Sequence, residues 1–148
     1  MYLRDKIVLF DGSGFDKWER RGGGAVTWDN DGESMTVVRG DIVSTVEFSD
    51  AMLHVEFRCP DMPEATGQDK GNSGVYVHGC YEIQVLDSYG VNNPNDGDCG
   101  ALYGMYAPLT NACRPATEWQ AYDIIIRAPR FDGSGEIAED GRMTVLQN

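Results

Sequence analysis

The chain has 148 residues, and 41% of them are hydrophobic, including three Trp, seven Tyr and five Phe. That length predicts one domain with a single core and excludes a multidomain assembly. Twenty-four acidic against twelve basic side chains give a formal charge of −12, with no basic run, so nothing could track a phosphate backbone and nucleic acid is excluded as a partner. No stretch has the roughly 18 to 20 apolar residues of a membrane-spanning helix. The start, MYLRDKIVLFDG, carries charges where a signal peptide carries its apolar segment.

Apolar residues recur with period two, and eighteen glycines punctuate short segments, which predicts an all-β chain. In chain order the expected strands are 7–10, 25–28, 34–39, 42–45, 52–58, 74–78, 81–87, 120–128 and 142–147. No amphipathic helix of three turns, internal repeat or linker is evident. Between Asp87 and Trp119 lies a long stretch rich in Gly, Asn, Pro and Asp, far beyond the common loop length and therefore functional or pinned. Residues 61–113 hold seven carboxylates and one cation, Lys70; such a surface either attracts metal ions or keeps the protein soluble.

Strand parity sorts side chains into faces. Leu53, Val55 and Phe57 form an apolar face, opposite His54, Glu56 and Arg58. Val75 and Val77 oppose Tyr76 and His78, while Ile83 and Val85 oppose Glu82 and Gln84, with Asp87 at the strand's end. One sheet is therefore expected to carry Glu56, Arg58, Tyr76, Glu82 and Gln84 on a single surface. Carboxylate, guanidinium, amide and aromatic groups together are what a sugar-binding cleft uses; an ordinary polar face with an Arg58 ion pair is the plainer alternative.

Cysteines stand at 59, 80, 99 and 113 with no Cys-x-x-Cys pair, which disfavours structural zinc. Disulfides or buried thiols remain. A Cys99–Cys113 bond is expected because it would close a short Gly-rich loop; Cys59 with Cys80 is the weaker pairing. His54-x-Glu56 lacks the Pro-Cys-x-x-Cys half of a zinc deaminase, and Gly67 to Ser73 lacks the Gly-Lys-Ser/Thr of a phosphate loop.

Five ordered strings, LFDGSGFDKW (9–18), GNSGVYV (71–77), YEIQVLDSYG (81–90), DCGALYG (98–104) and NACRPATEWQAYDIIIRAPRFD (111–132), closely resemble the 3-keto-disaccharide hydrolase family. The resemblance runs from Leu9 to the last residue. It implies a concanavalin-like jelly-roll sandwich of two antiparallel sheets, in bacterial proteins exported to the periplasm or cell surface. The family pattern falls on Glu56, Arg58, Asn72, Ser73, Tyr76, Glu82, Gln84, Asp87, Trp119 and Asp123; neither His54 nor His78 is carried over. In the proteins this chain resembles, RMTVLQN runs on into roughly forty further residues, room for several strands, which contribute a His to the cleft. The resemblance therefore implies a fragment with an incomplete site and an uncovered sheet edge that invites self-association.

The implied substrates are glycosides oxidised to a ketone at sugar C3. The ketone acidifies the C2 proton, a carboxylate removes it, and the C1 substituent leaves by β-elimination before water adds back. Glu82 is the first choice of base, then Asp87, then Glu56; Arg58, Asn72, Tyr76, Gln84 and Trp119 are substrate-binding candidates. A divalent cation on Glu82 and Asp87 is one source of an electrophile; no organic cofactor is implied. Trp119 suits either stacking on a sugar or plugging the core, and Asp123 either a ligand role or bracing a turn. A noncatalytic glycan-binding module is the alternative function, since fold does not fix function.

Overall fold

The computed structural model describes residues 6–148. It is all-β, with every sheet antiparallel and no α-helix among the described residues, and the described residues divide after Phe48 into two compact units.

In the first unit, β1 (Trp18–Arg20) pairs with β4 (Ile42–Ser44), and β2 (Asp29–Asn30) with β3 (Met35–Thr36). The expected strand at 7–10 does not form, because side chains take its carbonyls: Lys17 Nζ donates to Val8 O at 2.5 Å and Trp18 Nε1 to Leu9 O at 2.9 Å. Residues 25–28 are likewise outside a strand, and the strand begins at Asp29. The expected strand at 34–39 shrinks to two residues, Met35 and Thr36.

The second unit is built on β5 (Ala51–Phe57), β6 (Ser73–Val77), β7 (Tyr81–Val85), β8 (Gln120–Arg127), β9 (Arg130–Phe131), β10 (Ile137–Glu139) and β11 (Arg142–Gln147). Strand β8 lies between β11 and β5. Its register sets Tyr122 opposite Val55, Ile124 opposite Leu53 and Ile126 opposite Ala51, so one face is apolar. Strands β6 and β7 form a hairpin whose three-residue loop, His78 to Cys80, follows the Val77–Tyr81 pair and holds His78 and Gly79 at positive φ. Val77, Ile83 and Val85 on its inner side join Tyr122, Ile124 and Ile126 in one core. The short β9–β10 hairpin was not foreseen; Asp132 nucleates it by accepting from Ser134 N and Glu136 N at 2.8 and 3.1 Å.

Two layers thus face each other across the core, joined by Tyr122, whose hydroxyl donates to Gln84 O at 2.6 Å. The outer faces of the layers therefore point away from each other. This corrects the expectation of one polar surface: Tyr76, Glu82 and Gln84 lie on the outer side of the β6–β7 layer, Glu56 lies on the outer side of the β5–β8–β11 layer, and Arg58 is exposed just past the end of β5.

The long 87–119 segment is pinned. Residues 100–103 run along the free edge of β7, with Gln84 N donating to Ala101 O and Tyr103 N to Glu82 O at 3.0 and 2.9 Å. Buried Ser88 donates its hydroxyl to Asp98 Oδ1 at 3.1 Å and accepts from Cys99 N at 3.0 Å. Asn111 Nδ2 donates to Ser88 O and Val91 O. Ser88→Ala would strand a buried acceptor and a buried N–H, so it is expected to destabilise the protein by roughly 1–3 kcal/mol. A lower urea midpoint with new proteolytic cuts between 89 and 112 would confirm this, and an unchanged midpoint would refute it.

Candidate functional site

The outer face of the hairpin carries a composed set of polar groups. Tyr76 pairs across the strands with Glu82, and Gly74 with Gln84. That register brings the Tyr76 hydroxyl to Glu82 Oε2, to which it donates at 2.7 Å, as cross-strand neighbours on one face should. Glu82 lies over Gly74: a Cβ there would stand 2.1 Å from Glu82 Oε1 and 2.7 Å from its Cγ. Glycine at 74 is therefore the seat of the carboxylate.

Beside this pair is a cluster of amides. Gln84 is buried, and its Nε2 donates to Gln68 Oε1 at 3.0 Å and Gly97 O at 3.3 Å. Gln68 Nε2 donates to Gly97 O at 2.8 Å, and Asn72 Nδ2 donates to Gln68 O at 2.9 Å and to Gln68 Oε1 at 3.1 Å. Gln84 Oε1 is buried without a hydrogen-bond partner, an acceptor whose desolvation costs free energy until a donor meets it. Gln68, in the 3₁₀ turn Gly67–Asp69, links Asn72 to Gln84; sequence reasoning missed it because the turn carries no strand periodicity.

The remaining candidates are dispersed. The Asp87 side chain is only 7% exposed and accepts from Lys70 Nζ at 3.0 Å. Arg58 stacks its guanidinium 4.8 Å from the Trp119 ring centroid, a cation–π contact; Trp119 is 45% exposed, so it is not a core plug. Glu56 and Asp123 flank His54 on the back of the other layer: His54 Nδ1 lies 2.8 Å from Asp123 Oδ1, and Nε2 lies 4.0 Å from Glu56 Oε1. Asp123 therefore braces a histidine across the sheet, not a turn.

A divalent cation on Glu82 and Asp87 does not fit this donor set. Each carboxylate has its own partner, Tyr76 or Lys70, and among the described residues no three His, Cys, Asp or Glu side chains converge to hold a metal ion.

All four cysteines are free, so the bond expected between Cys99 and Cys113, and the weaker pairing of Cys59 with Cys80, are not formed here. Cys99, Cys113 and Cys59 are buried and Cys80 is exposed. The hydrogen bond from the Cys113 thiol holds Cys99 down to about 6 against burial, and the Tyr122 hydroxyl lies 3.1 Å from Cys99 Sγ. That same bond first, and burial second, push Cys113 up. Burial pushes Cys59 to about 12, with the Cys99 and Asp87 charges adding to it.

Residues 5–148 match the 3-keto-alpha-glucoside-1,2-lyase-like domain family. The chain belongs to that family. Among solved structures, this lyase-like domain is similar to a protein from Parabacteroides distasonis provisionally described as a glycosyl hydrolase, at 40% identity and a TM-score of 0.88. The match covers 98% of this chain and 62% of that one, so the domain spans less than two thirds of its solved relative. No curated protein matches it.

Gly74→Ala tests the seat of the carboxylate. Because Glu82 is flexible, it is expected to swing off Tyr76 at a stability cost of about 1 kcal/mol. A crystal structure of the variant that retains the Tyr76–Glu82 hydrogen bond would show that Gly74 does not set the position of Glu82.

Proposed function

We propose that the domain is a carbohydrate-active enzyme that cleaves 3-keto-glycosides by elimination across C1 and C2, followed by hydration. The observation that carries this reading is the Glu82 carboxylate over Gly74, oriented by the Tyr76 hydroxyl. Membership in a family described as 1,2-lyase-like supports it, as does the provisional glycosyl hydrolase description of the solved relative.

A ketone at C3 makes the C2 proton removable by a carboxylate, which an unoxidised sugar does not allow. Glu82 takes that proton and becomes the acid; the C2–H electron pair forms the C1=C2 bond as the C1–O bond breaks. The departing oxygen needs a proton, and Tyr76 is the hydroxyl at hand, recovering one from solvent. Water then adds its hydroxyl to C1 while Glu82 returns its proton to C2, so the carboxylate is regenerated. Tyr76 fixes one carboxylate oxygen and leaves Oε1 over Gly74, which orients the base at no further entropic cost on reaction.

In this reading Asp87, paired with Lys70, is not the base, and Glu56 stands on the other layer beside His54. Export to the periplasm or cell surface belongs to the same proposal and rests on the family resemblance.

Glu82→Gln keeps the shape and removes the charge. It is expected to lower turnover of 3-keto-trehalose or 3-keto-sucrose about a hundredfold or more, with the thermal midpoint unchanged. Full activity in that variant would refute Glu82 as the base. Wild-type protein that binds glycans and turns over no 3-keto-glycoside would make the domain a noncatalytic glycan-binding module.

A further inference from the structure

Asp87 lies at the floor of a second feature. A cavity of about 320 Å³ opens beyond the end of β7, lined by Asp61, Lys70, Asp87, Tyr89, Pro115 and Thr117 among others. That volume is at the small end of ligand pockets, the size for a single ring. The nearly buried Asp87 carboxylate accepts from Lys70 and, at 3.4 Å, from Tyr89 N, which leaves it acceptor capacity for further donors. Lys70, with three donors, gives one of them to Asp87 and has a partly exposed side chain. Tyr89 is 59% exposed at the rim and offers an aromatic ring.

One part of the lining is held in an uncommon conformation. Thr117 has φ 70°, a left-handed value that costs a β-branched residue free energy and that is found where surrounding structure imposes it. Its N–H donates to Cys59 O at 2.8 Å, which fixes the Pro115–Thr117 wall against the end of β5.

The charges choose the ligand class. Asp61 and Asp87 outweigh Lys70, so an anionic ligand is repelled, and Lys70 occupies the place a cation would take on Asp87. What remains is a neutral ligand dense in hydroxyls, which donates to carboxylates, accepts from an ammonium and stacks a C–H face on an aromatic ring. The segment 67–72 ties this cavity to the hairpin site: Gln68 and Asn72 join the Gln84 amide cluster, and Lys70 between them turns to Asp87.

We propose that this cavity is a saccharide subsite, separate from Glu82, that takes the sugar ring which the elimination leaves intact. The assignment to that ring rests on the function proposed above, whereas binding of a neutral sugar does not require turnover. The test is an NMR titration of the full chain with unoxidised trehalose and methyl α-glucoside, for wild type, Tyr89→Ala and Glu82→Gln. Trehalose is expected to shift the amide signals of Lys70, Tyr89 and Thr117, and Tyr89→Ala to weaken binding about fivefold, the loss of one stacking contact. Glu82→Gln is expected to retain those shifts even though its turnover is lost. In steady-state kinetics, Tyr89→Ala should raise KM for a 3-keto-disaccharide with kcat unchanged, and leave KM for a 3-keto methyl glycoside as it was. If neither sugar moves the Lys70, Tyr89 and Thr117 signals, or if Tyr89→Ala binds trehalose as wild type does, the subsite is refuted. If the sugar shifts appear while no 3-keto-glycoside is turned over, the subsite stands and the elimination reading fails.

Discussion

The hydroxyl of Tyr122 spans the core of the larger unit and donates to the backbone carbonyl of Gln84. A fully buried phenol needs such a partner, since an unpaired hydroxyl in that setting costs free energy. Burial accordingly pushes its ionisation far above the ordinary tyrosine value, so it remains a neutral donor. The same Gln84 carbonyl accepts from Gly100 N at 3.0 Å. One oxygen on β7 therefore meets β8 from across the core and the pinned loop from the strand's edge. Phe57 packs its ring 4.7 Å from that of Tyr122, which fixes the direction from which the hydroxyl comes. Strand β7 is held by these contacts, and on its outer side it presents Glu82 and Gln84.

Because the two layers share one core, polar groups on their outer sides are kept apart by the apolar thickness between them. The Tyr76–Glu82 pair lies on one side; His54, Glu56 and Asp123 form a separate polar cluster on the other. This partition gives the carboxylates different company. Glu82 has a phenol, Asp87 an ammonium, and Asp123 an imidazole. Of these three, Glu82 alone combines a neutral partner with a seat over a glycine, which is why the proposed reaction takes it as the base.

Alternation along single strands was legible in the sequence, because period two is a local property of the chain. It correctly sorted Leu53, Val55 and Phe57 from His54 and Glu56, and Ile83 and Val85 from Glu82; Gln84, expected to face outward, is buried. The assignment of those faces to one sheet failed, since sheet membership is decided by pairing with distant strands. His54 and Asp123 are 69 residues apart, and only the β5–β8 register reveals why a solitary histidine sits where it does. The pinned nature of the 87–119 segment followed from its length, whereas its anchors, Ser88, Asp98 and Asn111, are short polar side chains that look the same in any loop. Tyr76 and Glu82 were found together because a tight hairpin makes their pairing nearly local. Residues 7–10 misled because an apolar run reads as a strand even when a lysine and an indole claim its carbonyls.

The cysteines give the molecule a reporter of its own opening. Cys80, on the hairpin turn, meets solvent in the native state, while Cys59, Cys99 and Cys113 are enclosed. An alkylating reagent therefore finds one nucleophile at once and must wait for the core to part before reaching the others. Cys99 lies against the Tyr122 hydroxyl at 3.1 Å, so its rate of modification times the separation of the two layers, a breathing motion otherwise invisible in a chain with its aromatic residues scattered through both units.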